Sequence, residues 1–113
     1  MESVLTSIKK LLGIKEEYTN FDTDILININ SVFLTLNQLG IGPTTGLEIV
    51  GKDDTWNSIL GERKDLIGIK TYIFLKVKLL FDPPQTGYLV ESINNQCKEL
   101  EWRLNLQVER GAL

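Results

Sequence analysis

From Leu66 to Phe81 the chain is apolar with few breaks, interrupted chiefly by Lys70, Lys76 and Lys78. A membrane-spanning helix needs about 20 residues with almost no charge. This stretch is shorter and carries three lysines, so it predicts a helix inside a folded domain. Leu66, Ile69, Ile73, Val77 and Leu80 recur at about 3.6 residues and share one side. Ile67, Phe74 and Phe81 fall on a second side, and Tyr72, Leu75 and Leu79 on a third. Tyr72 to Leu75 is β-prone, but the length and the spacing favour a helix from about Lys64 to Phe81. A helix that is apolar nearly all round must be covered from several directions. Asp82-Pro83-Pro84 stops it, because neither proline has an N–H to donate.

The rest of the chain offers the covering pieces. Val4, Leu5, Ile8, Leu11 and Leu12 predict a short first helix, with Ser3 as N-cap and Gly13 at its end. A second helix begins at Asp22, where Asp22 and Asp24 match the positive end of the helix dipole. Ile25, Ile29, Val32, Phe33, Leu36 and Leu39 form its stripe, and Gly40-Ile41-Gly42-Pro43 ends it. Gly40 to Asp54 is the least helical part, and Leu47 to Val50 reads as a short strand or an extended segment. Asp54 or Thr55 then caps a short helix through Trp56, Ile59 and Leu60. The last helix runs from Gln85–Gly87 to near Glu109, started by Asp82 with Gln85 or by Thr86. The expected architecture is a mainly α compact bundle of about four to five helices in one domain, residues 1–113. Residues 41–54, flanked by glycine, are expected to act as a mobile arm, and residues 110–113 to fray.

The last helix carries a surplus. Leu89, Ile93, Leu100 and Leu104 form its core stripe, with Cys97 on or beside it. Trp102 projects almost opposite, with Tyr88 and Leu106 nearby. Aromatic residues on an outward face mark contact surfaces. Trp102, Tyr88 and Leu106 are therefore candidate contact residues, and Phe74 is the matching candidate on the long helix.

Composition removes most catalytic chemistry. With no histidine, the usual general base and the Ser–His and Cys–His pairings are gone. A single cysteine, Cys97, excludes an internal disulfide and a thiolate zinc site. Asp53 and Asp54 lack the alternating oxygen ligands of a calcium loop, and no phosphate-cradling motif occurs. A net charge of −3 argues against duplex binding and places Lys9, Lys10, Arg63 and Lys64 on solvated faces. No enzyme activity, no cofactor and no metal are expected.

Several stretches in order carry a resemblance. They are Ile8-Lys9-Lys10-Leu11-Leu12-Gly13-Ile14, then Asp22 to Pro43 with its Gln38-Leu39-Gly40-Ile41-Gly42 turn, then Asp54-Thr55-Trp56. The most specific runs from Ile69 to Pro84, followed by Glu99-Leu100-Glu101-Trp102-Arg103-Leu104. In this order the chain resembles the small head–tail connector (adaptor) proteins of long-tailed bacteriophages and of prophages in Gram-positive bacteria. The resemblance implies a structural subunit of the virion neck, made in the host cytoplasm. It implies self-association into a ring, typically about twelve-fold and closed by heterologous contacts. The ring would sit beneath the portal protein, extend the DNA channel without sequence-specific binding, and dock the next neck or tail protein. In such proteins an extended segment often reaches a neighbour, which adds Leu47 and Ile49 to the candidate contacts. They often carry a longer C-terminal extension for portal docking than the few residues that follow the last helix here.

Three other readings compete. One is a small helical interaction or regulatory module, without catalytic activity, that binds through Trp102 and Tyr88. A second is an Asp/Glu metal-dependent enzyme. A third is a helix-turn-helix repressor, which the charge and the lack of a basic recognition helix disfavour. Chelator is expected to leave the thermal midpoint unchanged; a large drop would reveal a metal site that the sequence hides.

Overall fold

Five helices occur within residues 2–43, 46–61 and 66–110, the parts that this computed structural model describes. They are α1 (Val4–Leu11), α2 (Asp22–Gln38), α3 (Trp56–Leu60), α4 (Leu66–Phe81) and α5 (Gly87–Glu109). The expected helix start at Lys64, the placement of Arg63, the Leu66 side chain and the tail beyond 110 lie outside the described residues.

The all-round apolar helix is the centre of the fold. α4 packs against α1, α2 and α5. Ile69, Tyr72, Ile73 and Val77 are fully buried. They meet Val4, Leu5 and Ile8 of α1 and the predicted α2 stripe Ile25, Ile29, Val32, Phe33 and Leu36 in one core. Tyr72 tolerates this because its hydroxyl donates to Glu101 Oε2 at 2.7 Å, while Lys76 Nζ lies 3.7 Å from the same oxygen. That pair of contacts also ties α4 to α5.

Two stripe positions turn outward. Leu80 and Leu89 were expected in the core but are 57% and 48% exposed. Leu80 lies in the last turn of α4 and Leu89 in the first turn of α5. On α5 the buried positions are Cys97 and Leu104, with Ile93 and Leu100 half-buried. Thr86, not Asp82, caps α5 by accepting from Leu89 N, while Asp82 pairs with Lys78 at 2.9 Å.

The segment after α2 is docked rather than arm-like at its anchor points. Gly40 has φ +90°, and a Cβ there would come within 2.8 Å of Val108 on α5. That close approach, with Asn105 donating to Leu39 O, joins the end of α2 to the end of α5. Ile41 and Ile49 are buried. No strand forms at Leu47–Val50. Instead the Asn30 side chain accepts from Ile49 N at 2.8 Å and donates to Ile49 O at 2.9 Å, standing in for a neighbouring strand. Asp54 accepts from Val50 N and Gly51 N, and Thr55 with Ser58 forms the capping box of α3. α3 buries Trp56, whose indole N–H donates to Ser7 Oγ at 2.8 Å.

Lys9 overturns the expectation of a solvated face. Its side chain is 2% exposed, and its ammonium has three partners: Asp22 Oδ1 at 2.8 Å, Tyr18 O at 2.8 Å and Glu16 O at 2.9 Å. This explains why Asp22 does not cap α2: the N-cap position is Phe21, with no side-chain bond, and the carboxylate turns to Lys9. Lys10 stays outside, beside Glu2 at 3.2 Å.

Lys9→Met keeps the apolar stem but leaves two carbonyls and a carboxylate without their donor. It is expected to cost about 3 kcal/mol in urea unfolding, whereas Lys10→Met should stay within about 0.5 kcal/mol. Equal effects would show that the buried ammonium is not an anchor.

Burial, reinforced by Glu101, holds the Tyr72 phenol well above its ordinary range, and burial pushes the Cys97 thiol up as well. Both groups are neutral acids kept protonated by the fold. Above the ordinary values of 9.0 and 10.0 the unfolded chain loses these protons before the native one does. Stability is therefore full below about pH 9 and falls as pH rises beyond it. Tyr72→Phe with Cys97→Ala should flatten that alkaline slope in urea midpoints; an unchanged slope would assign it elsewhere.

A candidate assembly surface

The outward side of α5 holds the two aromatic residues singled out by the sequence. Tyr88 is 81% and Trp102 63% exposed. They face the same way but stand fourteen residues apart, about 21 Å along the helix. Glu91, Asn95 and Glu99 lie exposed between them. They are therefore two contact points, not one patch. Leu106 is half-buried and joins Trp102 in a groove of about 410 Å³, with Gly68 of α4 on its floor and Arg103 and Arg110 among its lining.

The other candidates are placed differently. Phe74 is half-buried and packs on the core. Leu47 is half-buried, its Cγ 2.9 Å from where a Cβ on Gly42 would stand. Gly42 has φ +84°, so a side chain there would be both strained and obstructed. Ile49, expected to reach a neighbour, is 2% exposed and has both backbone groups bonded to Asn30. It is a core residue, and its neighbour Val50, 80% exposed, is the outward one.

A second apolar surface went unread in the sequence. Leu12, Phe21, Ile27, Leu80 and Phe81 line a groove of about 700 Å³ where α1, α2 and α4 meet. Ile27 is 62% exposed. Phe21 packs edge-on against Phe81 at 5.3 Å, and Tyr18 extends the aromatic row. Asp24 and Asp82 also line the groove. A signal was present: Ile27 and Leu34 lie seven residues apart on α2, off its core stripe, and both are exposed.

These surfaces suit binding by apolar contact. Among the described residues no group of three potential metal ligands converges. Asp54 is spent holding a turn and Asp53 is exposed. Cys97 is a buried thiol biased toward its neutral form, a poor nucleophile. Among the described residues no helix is long and apolar enough to cross a membrane.

No curated protein and no solved structure matches the chain. A family profile does, and it spans the helices and both apolar surfaces. From residue 4 to residue 111 the sequence fits the profile of phage connector proteins, and the chain belongs to that family.

Proposed function

We propose that this connector is one subunit of a closed ring in the virion neck. The ring sits beneath the portal protein, extends the DNA channel and offers a docking face to the next neck or tail protein. The observation that carries this reading is Trp102, 63% exposed on the side of α5 away from buried Cys97 and Leu104. A tryptophan held in water on a rigid helix is the usual centre of a protein–protein contact. The net charge of −3 fits a conduit, since a channel that passes DNA must not hold its phosphates tightly.

Electron microscopy of the purified chain, with and without portal rings, tests the assembly. Rings, alone or on the portal, are the expected result. A chain that stays monomeric in both and binds a different protein would favour a small interaction module instead.

Trp102→Ala should change monomer stability by about 0.5 kcal/mol or less and weaken assembly by about 2 kcal/mol or more. Leu104→Ala, a core control, should cost about 2–5 kcal/mol of folding stability. Urea midpoints and ring yield separate the two. If Trp102→Ala unfolds the chain as readily as Leu104→Ala, the tryptophan belongs to the core and the argument fails.

A further inference from the structure

We infer that the Trp102 surface of one copy seats in the Leu12–Ile27–Leu80 groove of the next, so that the ring closes head to tail through these two unlike faces. This inference rests on the ring reading above and names the two sides of its contact.

The two surfaces are complementary in charge. One is a groove of about 700 Å³ whose lining includes two acids, Asp24 and Asp82, and no base. The other is presented by Trp102 and Leu106, and its lining includes two bases, Arg103 and Arg110, and no acid. Asp82 and Arg103 each have a partner one helical turn away, Lys78 and Glu99. Such exposed pairs exchange partners at little cost. Asp24 and Arg110 make no ion pair among the described residues. Seating one surface on the other buries the indole against Ile27 and Leu80, and brings guanidinium groups to carboxylates at the rim.

Like-with-like pairing does the opposite. Two Trp102 surfaces would bring together two Arg110 guanidinium groups, and two grooves two Asp24 carboxylates, none of them ion-paired among the described residues, while Arg103 and Asp82 keep Glu99 and Lys78 beside them. Repulsion of this kind rejects the wrong partner as much as attraction selects the right one. Position agrees with charge. The groove touches α4 at Leu80 and Phe81, whereas the Trp102 surface touches it at Gly68. Twelve residues separate Gly68 from Leu80, about 18 Å along the helix axis. Two unlike faces at opposite ends of one rigid helix make a heterologous contact, the kind that generates rings when the rotation closes.

Charge reversal tests the pairing on the full chain. Asp24→Lys alone and Arg110→Glu alone should each raise the concentration needed for ring formation about tenfold or more. The double variant, which restores opposite signs, should return to within about threefold of the parent. Urea midpoints confirm that the variants are folded; if a reversal prevents folding, Asp24→Asn and Arg110→Gln replace it, and their double variant is then expected to weaken assembly no more than either single one. Rings from the parent together with unaffected single variants overturn the pairing, as does a folded double variant that does not recover. A parent that forms no ring even on the portal fails one step earlier: it refutes the ring reading itself, and this contact with it.

Discussion

An α-helix with apolar side chains on three sides cannot stand in water, and the arrangement of the other helices follows from covering α4. Coverage is complete in the middle, where Ile69, Tyr72, Ile73 and Val77 are all fully buried. It fails at both ends. Ile67 is 81% exposed in the first turn of α4, and Leu80 is 57% exposed in the last. The two candidate contact surfaces lie at these ends, one beside Gly68 and one at Leu80–Phe81. Each surface therefore borders an end of the central helix.

Covering α4 with short helices leaves many connections, and each connection must satisfy backbone groups near the core. Side chains such as Lys9, Asn30 and Asp54 do this, and Ser7 does the same for an indole. Lys9 closes the turn between α1 and α2 by donating to two carbonyls. Asn30 replaces a strand for Ile49. Asp54 holds the turn at Val50–Gly51, and Ser7 accepts from the Trp56 indole. The Asp54 bonds are local, whereas those of Lys9, Asn30 and Ser7 reach 7 to 49 residues along the sequence and fix the loops to helices already packed on α4. Together they dock Ile49 on α2 and hold the turn at Val50–Gly51 ahead of α3.

Much of this was legible in the sequence wherever a helix is covered along its length. The α2 stripe from Ile25 to Leu36, the Ser3 cap and the stop at Asp82-Pro83-Pro84 all follow from spacing and local chemistry. Periodicity says which residues share a side but not how far a neighbour extends along it. Leu80 and Leu89 were misplaced for that reason. Lys9 was misread because two of its three partners are main-chain carbonyls, brought near by a turn whose shape no residue type announces. Ile49 was misread because its binding partner is a single amide nineteen residues away. The exposure of Trp102 and Tyr88 was legible, since an aromatic residue opposite a core stripe is a local signal. The groove was not, because it is assembled from α1, α2 and α4 and exists only after folding.

The presence of two unlike apolar surfaces has a consequence for when a connector of this kind assembles. Each piece is small and carries one sign of charge in its lining, so a lone subunit lacks the broad apolar patch that drives indiscriminate association. A single contact of this size is expected to be weak, because standard stable interfaces bury about 1,600 Å² in total. In the proposed ring every subunit uses both pieces at once, and closing the circle makes the last contact intramolecular in effect. Effective concentration then raises the stability of the whole far above that of one contact. In that proposal a portal displaying the ring's symmetry supplies the same advantage earlier, by holding neighbours side by side. In the proposed ring, weak unlike faces therefore suit a subunit that stays dispersed alone and assembles only when several neighbours close together.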